Sequence, residues 1–121
     1  IESTGSGVNK VYEFDTTAGA VESGYLDELN ASGKIIKATG SKNVEGVVIG
    51  ISGEKTAVGS VQTIAVHGVI ISCLYAGSVD YTPGADAFVD SNGKVATTGT
   101  IKVGTFSSRQ RSGSVAYITR L

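Results

Sequence analysis

Gly24-Tyr-Leu-Asp-Glu-Leu-Asn-Ala-Ser-Gly-Lys-Ile-Ile36 and Gly84-Ala-Asp-Ala-Phe-Val-Asp-Ser-Asn-Gly-Lys-Val-Ala96 are two versions of one pattern, 60 residues apart. Gly24, Leu29, Asn30, Gly33, Lys34 and Ile35 stand against Gly84, Val89, Asp90, Gly93, Lys94 and Val95. Each copy reads as a short strand, a tight polar turn closed by Gly-Lys, and a second strand. In the second copy, Asn92-Gly93 is the dipeptide of a two-residue hairpin turn, because both residues tolerate positive φ. Ahead of it, Thr82-Pro83-Gly84 puts Pro and Gly at the two central positions of a type II turn. Ser32-Gly33 marks the corresponding turn in the first copy.

Outward from this pair, matching resumes at an offset of 54, where Ile49, Gly50, Gly59, Ser60, Val61 and Ile64 meet Val103, Gly104, Gly113, Ser114, Val115 and Ile118. The repeat predicts two similar β-units packed about a pseudo-twofold axis, neither of which buries its apolar face alone. Composition agrees: 15 Val and 10 Ile stand against 4 Leu and no Met, and β-branched side chains favour pleated sheet over helix. Seventeen Gly supply turns at short intervals. Ala18–Leu29 carries Val21, Tyr25 and Leu29 at helical spacing, but Gly19 and Gly24 oppose a helix, so it reads as a loop followed by a strand. Candidate strands are Val8–Phe14, Gly24–Leu29, Lys34–Ala38, Val44–Ser52, Val61–Val66, Val69–Tyr75, Ala85–Asp90, Lys94–Thr98, Ile101–Phe106 and Ser114–Leu121. Strands so spaced imply an all-β fold, a small β-barrel or β-sandwich.

A chain of 121 residues fits one domain. Residues 1–7, Ile-Glu-Ser-Thr-Gly-Ser-Gly, read as a flexible N-terminal arm, and residues 8–121 as the β-domain. Within that arm nothing is expected to order the backbone without a partner. The start at Ile1 in a chain without Met reads as processed, truncated or missing a few leading residues. A net charge of −1 gives no reason to expect nucleic acid or an anionic membrane as partner. No apolar run approaches the roughly 18 residues of a membrane-spanning helix.

Catalytic constellations are missing from the sequence. His67 is the single histidine, which excludes a His-rich metal site, and no Gly-x-Ser-x-Gly elbow supports a Ser–His–Asp triad. Ser52-Gly-Glu-Lys55 fits the Ser-x-x-Lys pattern of penicillin-recognising enzymes without their companion motifs. Gly33-Lys34 and Gly93-Lys94 lack both the upstream glycine and the following Ser or Thr of a phosphate loop. Asp86, Asp90 and Asn92 lack the closing Glu of a calcium loop and read as solvated turn residues. Cys73, the one cysteine, lies in an apolar stretch and reads as a small buried hydrophobe. The expectation is a protein that is not an enzyme, with no cofactor and no metal.

Charge is uneven along the chain. Residues 1–30 hold six acids and one base, net −5; residues 91–121 hold five bases and no acid, net +5. The two segments are expected to lie side by side within one subunit or to meet across a subunit boundary, where complementary fields set register. Arg109 and Arg111, at an expected hairpin tip, are the candidate subunit-interface residues.

Gly46–Ile51, Gly59–Val69, Thr82–Lys94, Lys102–Gly104 and Gly113–Val115 together resemble the glycine and turn placements of bacteriophage capsid decoration (cement) proteins, over about Val8 to Leu121. The resemblance implies a small β-barrel, often a homotrimer, that binds the outside of an icosahedral head and braces neighbouring capsomers. Its implied partner is the major capsid protein, with no nucleic acid or membrane partner. Its implied location is the outer capsid surface of the virion, reached after assembly in the host cytoplasm. In such proteins the N-terminal segment reaches onto the shell, which makes Ile1, Glu2, Ser3 and Thr4 the capsid-binding candidates. There the arm is expected to order as an added strand or an extended clasp. The alternative function is an extracellular β-module: an adhesin, a pilus or surface-layer subunit, or a carbohydrate-binding domain. Three Phe and no Trp count against sugar binding.

Overall fold

Each of the ten Val- and Ile-rich stretches forms a strand, and one further strand comes from the arm. The computed structural model describes residues 3–4, 9–15, 17, 21–51, 58–63 and 70–119; Ile1, Glu2 and His67 lie outside the described residues. In chain order the strands are β1 (Ser3–Thr4), β2 (Asn9–Glu13), β3 (Leu26–Leu29), β4 (Ile35–Lys37), β5 (Gly46–Ile51) and β6 (Val58–Thr63). They continue as β7 (Ile70–Leu74), β8 (Asp86–Val89), β9 (Val95–Ala96), β10 (Lys102–Phe106) and β11 (Val115–Thr119). There is no helix among the described residues, and Val21–Tyr25 runs as turn into β3.

Two antiparallel sheets result, ordered β2-β6-β5-β3-β4 and β1-β7-β11-β10-β8-β9. Among the described residues β2 meets β4, and β7 meets β9, only at one isolated bridge each, so neither sheet forms a continuous closed ladder. The fold is a sandwich-like pair of sheets and not a closed barrel.

The two sheet orders carry the repeat. With β1 set aside, β2 to β6 and β7 to β11 occupy the same positions in the same sequence. Phe14 forms an isolated parallel bridge with Ile35, and Tyr75 forms the same bridge with Val95. Beside these, the Asp15 amide donates to the Ile35 carbonyl (2.9 Å) and the Ala76 amide to the Val95 carbonyl (2.8 Å). These pairs set offsets of 61 for β2 and β7 and 60 for β4 and β9. Asp27 opposite Gly46 corresponds to Ala87 opposite Gly104, an offset of 58 for β5 and β10. Val47 opposite Gln62 corresponds to Thr105 opposite Thr119, an offset of 57 for β6 and β11. The offset of 54 is therefore corrected. Its landmarks fall in different places, Gly59-Ser60 inside β6 and Gly113-Ser114 in the turn before β11.

The turns of the two units also match. The Asn30 amide donates to the Lys34 carbonyl (2.8 Å) and the Gly33 amide to the Asn30 carbonyl (3.0 Å); Asp90, Gly93 and Lys94 repeat both bonds at 2.8 and 3.4 Å. Gly93 takes φ +76°, a left-handed conformation that glycine adopts without steric cost. The turn thus spans Asp90–Gly93, one residue earlier than a two-residue Asn92-Gly93 hairpin. Asp90 is the reason: its Oδ1 accepts from the Asn92 amide (2.8 Å) and the Lys94 amide (2.9 Å). The type II turn at Thr82–Ala85 forms as expected, with Gly84 at φ +84° and the Ala85 amide donating to the Thr82 carbonyl (3.1 Å).

Packing between the units is not twofold. Phe14, Val21, Ile35 and Val48 form a small core in the first unit, and their counterparts Tyr75, Tyr81, Val95 and Phe106 lie in the larger core of the second. That larger core also takes in Leu26, Ala38 and Val47 from the first unit. The counterparts of these three, Asp86, Thr98 and Thr105, are exposed or half-buried. A twofold contact would bury the same residues from both sides. The units stack head to tail instead, and the Leu26 amide donating to the Gly93 carbonyl (2.7 Å) and the Leu74 amide to the Gly24 carbonyl (2.8 Å) lock the seam.

Candidate functional site

Three places on this scaffold bear on function: the arm, the loop carrying Arg109 and Arg111, and a cluster of ionisable side chains around the buried Asp27.

Ser3 pairs with Ile71 and Thr4 with Ile70, so β1 covers the outer edge of β7. An open strand edge presents unpaired amide and carbonyl groups, which any extended segment can satisfy whatever its side chains. The expectation that nothing orders the arm without a partner is corrected for these two residues: the chain's own sheet is that partner.

Arg109 and Arg111 sit in the connection between β10 and β11, and Tyr81 holds that connection in place. The Tyr81 hydroxyl donates to the Arg109 carbonyl (2.6 Å) and accepts from the buried Tyr117 amide (3.1 Å). The Gln110 side-chain amide returns a bond to the Tyr81 carbonyl (2.9 Å). Burial pushes the Tyr81 phenol above its ordinary range, opposed by the bond from the Tyr117 amide. The Arg109 guanidinium lies 4.0 Å over the Tyr117 ring, and Arg111 Nε is 3.2 Å from Asp80 Oδ1. Both arginines are thus held in fixed positions. Lys34–Glu13 (3.7 Å) and Lys102–Asp86 (2.8 Å) are further surface ion pairs. None of these three pairs joins the acidic first segment to the basic last one, and exposed pairs of this kind contribute about 0–1 kcal/mol each.

Asp27 is fully buried, and neither of its carboxylate oxygens has a hydrogen-bond partner. Burial above all, then the nearby Glu45 carboxylate, pushes its pKa up to about 8; the Gly46 amide opposes the shift. Tyr12 donates its phenol proton to Glu45 Oε1. That bond first, then burial and the negative charge of Glu45, pushes the phenol up to about 12. The neighbouring Glu28, also buried, is by contrast satisfied by the Thr39 amide and hydroxyl, both at 2.8 Å. The sequence reading did not single out this cluster. Its one signal was the repeat itself, which sets Asp27 against Ala87.

The remaining candidates have structural roles. Cys73 is buried, and burial pushes its thiol up to about 12, far from a reactive thiolate. Asp86 is paired with Lys102 and Asp90 caps its turn, so they do not converge on a cation. Among the described residues no three His, Cys, Asp or Glu side chains are grouped so that they could hold a metal ion. Five of the eight aromatic side chains are buried, and Tyr12, Tyr25 and Phe88 are half-buried. None stands out as a platform on which a base or sugar ring stacks. No family model, curated protein or solved structure matches the chain.

Proposed function

We propose that this chain is a capsid decoration protein, a homotrimer that binds the major capsid protein on the outside of a phage head and stabilises the shell. The observation that carries the reading is the resemblance over Val8 to Leu121. The fold supplies what the work requires. Two stacked β-units give a stiff body, and β1 is an extended segment at a sheet edge, paired there through Ser3 and Thr4 among the described residues. A strand or clasp on the shell can take over such backbone pairing, and Ile1, Glu2, Ser3 and Thr4 are the residues proposed to make that contact. Arg109 and Arg111, fixed by Tyr81 and Asp80, are proposed to meet the acidic first segment of a neighbouring subunit.

Stabilisation of this kind needs no chemistry. A ligand that binds the assembled shell and not its separated subunits shifts the balance by mass action. The test is co-sedimentation with heads of the phage that encodes the protein, using the full chain and a form lacking residues 1–4. The full chain is expected to pellet with heads to a fixed stoichiometry, and the shortened form to bind more weakly. A full chain that stays in the supernatant with heads in excess would refute the proposal.

A further inference from the structure

We infer that Asp27, Glu45 and Tyr12 form a proton-sensitive latch, which holds β3 against β5 while Asp27 is neutral and releases as Asp27 ionises. The repeat supplies the argument. At the same three places the second unit carries Ala87, Val103 and Cys73, all buried and apolar, on the same strand framework. The fold therefore needs no polar group there. A buried carboxyl with half-buried ionisable neighbours, where a second copy of the unit packs apolar side chains, is not kept for stability.

Among the described residues an ionised Asp27 has only the Gly46 amide to favour it, and no cationic side chain there pairs with it. Across the pairing from it on β5 stands Gly46, which offers its amide but no side chain, and the Glu45 carboxylate repels it. On β4 the opposite residue is Lys37, whose ammonium sits 4.1 Å over the Tyr25 ring. On β3 itself Glu28 is bound to Thr39. On β2 the charged residues are Lys10 and Glu13, and Glu13 is exposed beside Lys34; β5 and β6 carry no charged residue. An ionised Asp27 must therefore admit water between β3 and β5 or draw a lysine inward. Drawing Lys37 would strip it from Tyr25 and from Gly93, where its stem lies so close that a Cβ would meet Lys37 Cγ at 2.5 Å. Either route loosens β3.

The sign follows from the direction of the shift. A carboxyl at about 8 in the closed state and at its ordinary 3.8 when opened makes the closed state strongest below pH 4. That advantage is lost as pH rises toward 8 and is flat above it. Amide hydrogen exchange, corrected for base catalysis, reads the opening strand by strand. Between pH 5 and 8, protection of the Leu26, Val47 and Val48 amides is expected to fall at least about tenfold, while that of Ala87 and Phe106 holds. Asp27→Asn, and the double variant Asp27→Ala/Glu45→Val that copies the second unit, are expected to abolish the dependence. The inference is overturned if Asp27→Asn keeps it, or if both units lose protection together. Should neither variant fold, the Asp27 carboxyl carbon shift in the unaltered protein decides. A midpoint near 8 supports the latch and one near 4 overturns it.

Discussion

Replacing Tyr81 with Phe removes one oxygen atom and isolates what holds the Arg109 loop. The ring loses nothing: its stack on Phe106 (4.3 Å between centroids, 17° between planes) and its edge contact with Tyr75 (5.5 Å) are open to Phe. Two hydrogen bonds go. The Tyr117 amide, donating to the hydroxyl at 3.1 Å in a buried environment, is left without that acceptor. An orphaned buried amide costs about 1–3 kcal/mol, and losing the 2.6 Å bond to the Arg109 carbonyl adds about 0.5–1.5 kcal/mol. Ser107 offsets part of the second loss, because its hydroxyl already reaches the same carbonyl at 3.3 Å. The expected cost is about 2–4 kcal/mol. Urea unfolding should show it as a lower midpoint at unchanged slope, since the surface exposed on unfolding stays the same. A loss below about 0.5 kcal/mol would refute the claim that this hydroxyl is the loop's anchor, because an orphaned amide alone exceeds it.

Other outcomes follow from the repeat and the charges. Gly33→Ala and Gly93→Ala both place Ala at φ near +75°, at about 1–2 kcal/mol. Only at Gly93 does the new Cβ also meet Lys37 Cγ at 2.5 Å and the Leu26 carbonyl at 3.0 Å, whereas Gly33 has nothing within 4 Å. Thermal or urea unfolding should therefore find Gly93→Ala worse by about 1 kcal/mol or more, and equal losses would contradict the head-to-tail seam. Reversing Arg109 and Arg111 to Glu should weaken association of the proposed trimer more than subunit stability, and salt should weaken that association in the unaltered protein, since exposed charges are screened beyond about 8–10 Å. Sedimentation equilibrium across a salt series checks both, and a trimer indifferent to salt and to the reversal would place the arginines away from the interface.

Strand positions were legible because β-branched residues and turn signals act locally. All ten candidates overlap observed strands, and Gly24–Leu29 shortens to Leu26–Leu29 because the turn at Glu22–Tyr25 uses its first two residues. What depends on partners was not legible. Ser3–Thr4 has no strand signal of its own, and its pairing belongs to the edge of β7. The Asn92-Gly93 turn was placed one residue late because the Asp90 side chain, and not the dipeptide, decides the loop. The later half of the repeat was misaligned because glycines and serines recur in loops and strands alike, whereas register comes from pairing. Leu26-Asp-Glu-Leu29 sets one leucine and one acid on each face of a strand, which by itself marks neither face as buried. Both faces of β3 are in fact covered, since Leu26 joins the core between the units while Asp27, with Glu45 and Tyr12, lies apart from it.

The most direct test of the proposed function is the temperature at which heads of the encoding phage break open and release their DNA, read by dye fluorescence with and without saturating protein. A decoration protein binds the intact shell and not its separated subunits, so the release temperature should rise with protein concentration and level off at full occupancy. Heads that open at the same temperature with and without the protein would contradict the account.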